Sequence, residues 1–182
     1  MRTVLEVGSY VAMIVAAAVV VWRVGFPAEP PGPPGQPPPV EDVSFILAAE
    51  DIRHVDGDGP IALVEFTDLE CPFCQRYQAE TYPQIKAQFI DTGQVRFVTM
   101  HFPLASHPGA VQAAMDVYGD SEARIEADVA VGRALGVMAT PTFFVGRWQP
   151  EGAVVLERRI NGAQPLAVFV SELNAAHTRS QQ

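Results

Sequence analysis

Eight of the thirteen residues in "PAEPPGPPGQPPP", residues 27–39, are proline. Proline locks φ and gives up its backbone N–H, so such a run joins neither a helix interior nor a sheet and extends as polyproline II. This divides the chain into an N-terminal segment, residues 1–26, a proline-rich spacer, residues 27–40, and a remainder, residues 41–182. At about 3.1 Å per residue the spacer spans up to roughly 40 Å.

The N-terminal segment contains "VGSYVAMIVAAAVVVW", sixteen residues from Val7 to Trp22 without a charge. It has no polar face to meet solvent, as a surface helix would. Val4, Leu5, Val24 and Phe26 lengthen it toward a bilayer span if Arg23 snorkels and Trp22 sits at the interface. The stretch is expected to be a transmembrane anchor. A cleaved signal sequence is the rival, but no small-x-small site follows the apolar run. Arg2 and the α-amino group favour a cytoplasmic N-terminus, which puts the rest of the chain on the extracytoplasmic face.

Residues 41–182 are enough for one domain with a sizeable core. Arg2 and Arg23 balance Glu6 and Glu29, so this domain carries the whole formal charge of −9. That argues against nucleic-acid binding, which needs a basic face.

Apolar, β-branched runs predict strands at 45–55, 61–68, 94–102, 142–146 and 153–160. Helices are predicted at 72–91, kinked at Pro83, and at 107–118, 121–135 and 165–176. The resulting order, β, β, α, β, α, α, β, β, α, is that of an α/β domain with a mixed sheet.

The chain has two cysteines, both in "VEFTDLECPFCQRYQAE". Cys71 falls after a predicted strand and at the start of a predicted helix, where unpaired N–H groups and the helix dipole favour a thiolate. Pro72 at the first helical position costs the helix nothing. Cys74, one turn on, faces inward beside Cys71. This arrangement suits thiol–disulfide exchange, with Cys71 forming the mixed disulfide and Cys74 resolving it. Glu65 is the one acid inside the apolar strand "ALVEF" and could exchange protons with a buried Cys74. It could equally point outward, because its neighbours are apolar on both faces. Other readings of the pair are a zinc site with His101 and His107, a structural disulfide, and a non-enzymatic module, either a zinc or copper carrier or an interaction domain. The long helix and strand between the cysteines and the histidines weigh against the metal site, and the short loop weighs against a structural staple.

Four segments, "VEFTDLECPFC", "TYPQIKAQFIDTGQVRFV", "HFPLASHPGAVQAA" and "LGVMATPTFFVG", resemble in order the DsbA-like family of thioredoxin-fold, extracytoplasmic disulfide oxidoreductases. The resemblance runs over roughly residues 58–162. It implies a thioredoxin-like fold with a central mixed sheet flanked by helices, and activity as a protein disulfide oxidoreductase. It also implies a cis Pro141 facing the cysteines, with Thr140 presenting its backbone to a substrate strand. Pro72 and Phe73 would line the same surface. Glu65 matches the position of the family's buried acid. The resemblance requires no organic cofactor and no metal. It implies client proteins with cysteines and a membrane redox partner.

Two departures stand out. Phe73 occupies the place where the strongest oxidants of the family have histidine, which points to a less oxidising pair, as does Glu70 beside Cys71. Only "YGDSEA" joins two helices between which the family usually inserts a multi-helix cap. Oxidase, reductase and isomerase share all these residues.

Overall fold

The computed structural model describes residues 39–181. The expected anchor at 1–26 and nearly all of the spacer lie outside the described residues. Among the described residues no helix is long and apolar enough to cross a membrane.

Strands β1 (Val40–Leu47), β2 (His54–Asp56), β3 (Ile61–Thr67), β4 (Val95–His101), β5 (Thr142–Trp148) and β6 (Val154–Asn161) form one sheet in the order β1-β6-β5-β3-β4-β2. β3 runs parallel to β4 and antiparallel to β5, and the other pairings are antiparallel, so the sheet is mixed. All seven residues of β3 are buried, because this central strand is covered on both faces.

One face carries Ile61 and Leu63 of β3 against Tyr77, Ile85, Phe169 and Leu173. Tyr77 packs 4.5 Å from Phe143 and 5.5 Å from Phe169, ring centre to ring centre. The other face carries Ala62, Val64 and Phe66 against Met100, Phe102, Leu135 and Phe144.

Helix α1 occupies residues 72–90 and alternates α-helical turns (Pro72–Arg76, Tyr82–Ile85) with π-helical turns (Tyr77–Thr81, Lys86–Ile90). Pro83 has no N–H to donate, and the wide turn just before it accommodates the missing bond. The remaining helices are α2 (Ala110–Tyr118), α3 (Glu122–Ala134) and α4 (Leu166–Ser180). Ser121 caps α3 by accepting from the Arg124 N–H. Gly132 lets α3 approach the sheet closely, since a Cβ there would lie 2.6 Å from the Phe102 ring.

Two expectations need correction. The single strand at 45–55 is two strands on opposite edges of the sheet, β1 beside β6 and β2 beside β4. They are separated by a 3₁₀ turn at Ala49–Asp51, whose small and acidic residues have no apolar side to bury. The second helix begins at Ala110 rather than His107, because Pro108 and Gly109 form a turn closed by Ala110 N–H on the His107 carbonyl. The α2–α3 link is as short as expected: Gly119, in the left-handed conformation that glycine tolerates, then Asp120 and Ser121.

Candidate active site

β3 ends at Thr67, and the chain turns through Asp68–Glu70 to place Cys71 as the N-cap of α1. The turn is held by Asp68, whose carboxylate is buried. Asp68 Oδ1 accepts from the Glu70 N–H at 2.8 Å, and Oδ2 accepts from the Leu104 N–H at 2.7 Å and from His107 Nδ1 at 2.8 Å. Glu70 turns away from the cysteines and accepts from the Gly109 N–H at 3.0 Å.

Both cysteines are free thiols. Cys71 Sγ donates to the Thr140 carbonyl oxygen at 3.3 Å, and the Thr140–Pro141 peptide is cis. The cysteine turn and the loop before β5 therefore meet, although 69 residues separate them. Cys74 is buried one turn into α1, and burial pushes its thiol up to about 12. The backbone of Asp68 and the hydroxyls of Thr67 and Thr140 act against that rise, while a charge on Cys71 adds to it.

Glu65 is wholly buried on the α1 face of β3, two residues along from Leu63. Oε2 accepts from Gln78 Nε2 of α1 at 2.8 Å, and Oε1 has no hydrogen-bond partner among the described residues. Burial raises its pKa to about 8, with Thr67 and Gln78 acting in the opposite direction. Thr67 is thus the group that both Glu65 and Cys74 feel, and its buried hydroxyl is not locked to either by a closed hydrogen bond.

Pro72 is exposed, and Phe73 beside it is 54% exposed, with the Arg76 guanidinium 5.2 Å from its ring centre. Met138, two residues before Thr140, is 90% exposed.

The rival metal site, the two cysteines with His101 and His107, is not assembled among the described residues. His101 is held by Asp120 and His107 by Asp68, and among the described residues no cluster of potential ligands includes a cysteine. Thr67, Asp68 and Gln78 are the site residues the sequence reading missed. Only Asp68 had a local signal, an aspartate two residues before the N–H it caps.

Residues 56–119 match the family model described as Thioredoxin. The chain is 33% identical over 57 residues to a probable disulfide bond formation protein D of Bacillus cereus, a match covering 31% of this chain and 26% of that protein. It is 39% identical over 82 residues to a Na(+)/H(+) antiporter NhaA 1 of Mycolicibacterium vanbaalenii, covering 43% of this chain and 13% of that one. These stretches are about a quarter or less of the relatives' own lengths. The crystal structure of oxidised BdbD from Bacillus subtilis superposes with a TM-score of 0.59 at 18% identity, covering 76% of this chain and 99% of that one. That likeness concerns the fold, which is thioredoxin-like. Over residues 56–119 this chain is thus similar to the thioredoxin family, and the fold of its described residues is thioredoxin-like.

Proposed function

We propose that the chain is a protein thiol–disulfide oxidoreductase whose redox centre is the Cys71–Cys74 pair. The observation that carries this reading is the meeting of Cys71 Sγ with the Thr140 carbonyl beside a buried Cys74 and a buried Glu65. A passive binding module gains nothing from burying an uncompensated carboxyl group, which costs stability.

In the reductive direction the Cys71 thiolate attacks a client disulfide, forming the Cys71–client bond and releasing one client thiolate. The charge on Cys71 disappears as that bond forms, which removes one of the influences holding the Cys74 thiol protonated. Ionised Glu65 then takes the Cys74 proton through the Thr67 hydroxyl. The Cys74 thiolate attacks Cys71 Sγ, closes the intramolecular disulfide and expels the second client thiolate. Oxidation of a client dithiol is the same sequence reversed.

Thr140, Pro141, Pro72 and Phe73 form the surface on which a client strand lies. Client proteins bearing cysteines are the substrates. A membrane redox partner resets the pair, and no cofactor beyond the two cysteines takes part. The N-terminal segment 1–26 anchors the domain, 41–182, through the spacer 27–40 at the extracytoplasmic face of the cytoplasmic membrane.

Insulin reduction by the purified protein tests the reading: Cys71→Ser is expected to be inactive, and Cys74→Ser to accumulate mixed disulfides. Full activity in Cys71→Ser would sink it. Equilibration in glutathione buffers sets the direction, a potential near −120 mV marking a disulfide donor and one near −270 mV a reductant, both as orders of magnitude.

A further inference from the structure

We infer that His54, His101 and Asp120 form a binding site for a single divalent transition-metal ion of the zinc type. The three residues come from separate elements. His54 lies on the edge strand β2, His101 ends β4, and Asp120 occupies the short link between α2 and α3. None of them belongs to the cysteine site.

Both imidazoles aim their Nε2 at the same atom. His54 Nε2 lies 2.7 Å and His101 Nε2 3.0 Å from Asp120 Oδ2, and the three potential ligand atoms fall within 4.8 Å of one another. A tetrahedral zinc ion with bonds of about 2.0–2.1 Å places its ligand atoms roughly 3.3–3.5 Å apart. To reach that geometry Asp120 Oδ2 moves roughly 0.3–0.8 Å away from the nitrogens, and the two Nε2 atoms, which lie within 4.8 Å of one another, close by up to roughly 1.5 Å, a small rotation of the partly exposed His54 ring; each imidazole then carries its proton on Nδ1. Two nitrogens and one carboxylate oxygen form a donor set that zinc accepts and that magnesium and calcium, which prefer all-oxygen shells, do not.

The surroundings keep this geometry in place. The Tyr118 ring packs 4.9 Å from His54 and 4.8 Å from His101, centre to centre, which limits rotation of both imidazoles. The His101 backbone N–H donates to Asp128 at 2.9 Å, and Asp128 is fixed in turn by Arg124 at 2.7 Å. One side of the site is open. The His54 side chain is partly exposed and borders a cavity of about 350 Å³ shared with Thr99 and Tyr118, which gives an ion a way in and leaves room for a water as fourth ligand.

The site would fasten β2, a three-residue edge strand held in the sheet by β4 alone, to the link between α2 and α3. Its role is therefore structural support of that edge, independent of thiol exchange.

The test uses full-length protein in detergent with Cys71 and Cys74 oxidised to a disulfide, so that neither can ligate. Zn²⁺ titration by calorimetry is expected to give one ion per chain, and added Zn²⁺ to raise the melting temperature. Co²⁺ is expected to give visible d–d bands of tetrahedral intensity without near-ultraviolet thiolate bands. His54→Ala and Asp120→Asn should each weaken binding at least about ten-fold. His54→Gln, at a partly exposed position, provides a folded control if either variant is unstable, and should show the same loss. The inference is overturned if the oxidised protein takes up no Zn²⁺ at about 100 µM, or if His54→Gln and Asp120→Asn bind as tightly as the parent.

Discussion

Cys71 Sγ donates a hydrogen bond to the Thr140 carbonyl oxygen at 3.3 Å, while Cys74, three residues on, is left in a pocket where burial pushes its thiol up to about 12. At neutral pH a thiol with that pKa is ionised in roughly one molecule in 10⁵, and alkylating reagents attack the thiolate. Reduced Cys71→Ser protein, whose remaining thiol is Cys74, should therefore resist iodoacetamide at pH 7 and react in denaturant. Mass spectrometry of the quenched time course checks this, and rapid labelling of native Cys71→Ser would show that Cys74 is not held as described.

Glu65 makes stability depend on pH. Its carboxyl has an ordinary pKa of 4.5 when unfolded and about 8 when folded, because burial disfavours the charge. Below about pH 4.5 both states hold the proton and there is no penalty. Between 4.5 and 8 the unfolded chain releases a proton that the folded one keeps, so stability falls as pH rises; above 8 the penalty is constant. The full penalty is on the order of 5 kcal/mol. Glu65→Gln should flatten the urea-unfolding stability between pH 5 and pH 8 and leave the protein more stable than the parent at pH 8. An unchanged pH profile would exclude Glu65 as its source.

Glu65 also shows how far the sequence could be read. The strand "IALVEFT" was legible from its apolar, β-branched residues, but a central strand is apolar on both faces, so alternation gave no face to Glu65. Gln78 settles the face by reaching the carboxylate from α1. The split between β1 and β2 was illegible for a related reason: pairing with β6 on one edge and with β4 on the other decides it, and neither partner is near in sequence. The cysteine turn was readable from its local motif, whereas the place of the Thr140–Pro141 loop came only from the family resemblance. Thr67 has no such motif, and His54 and Asp120 come together only through the fold.

Asp68 holds the cysteine turn to the segment after β4 through bonds from Glu70, Leu104 and His107. Removing a buried carboxylate that serves several donors leaves those donors without partners, at roughly 1–3 kcal/mol each before relaxation. Asp68→Ala should destabilise the protein by about 3 kcal/mol or more in denaturant titration. A loss below about 1 kcal/mol would mean that water replaces the carboxylate.

Thr67→Val keeps the shape of the side chain and removes the hydroxyl between Glu65 and Cys74. Attack by Cys71 on a client disulfide should proceed at the parent rate. Resolution by Cys74 should slow by roughly ten-fold or more, since a positioned proton carrier is lost. Stopped-flow with a fluorescent disulfide peptide separates the two steps. Equal slowing of both steps would indicate a general distortion of the turn rather than loss of a proton path.

Phe73 and Met138 are the large exposed apolar side chains that flank the redox turn, one next to Cys74 and the other two residues before Thr140. Exposed apolar surface beside a reactive centre is where an unfolded client gains binding energy, and a small thiol such as glutathione gains none from it. Phe73→Ser and Met138→Ser should therefore raise the KM for a protein client several-fold while leaving the rate of exchange with glutathione within about two-fold of the parent. The Phe73 ring also rests against the Arg76 guanidinium, so Phe73→Leu, which keeps apolar area and loses the ring, separates client contact from the cation–π contact. If Phe73→Leu restores the KM, apolar contact with the client is what the position supplies. If glutathione exchange falls in step with protein exchange in both serine variants, these side chains act on the cysteines themselves and the client surface lies elsewhere.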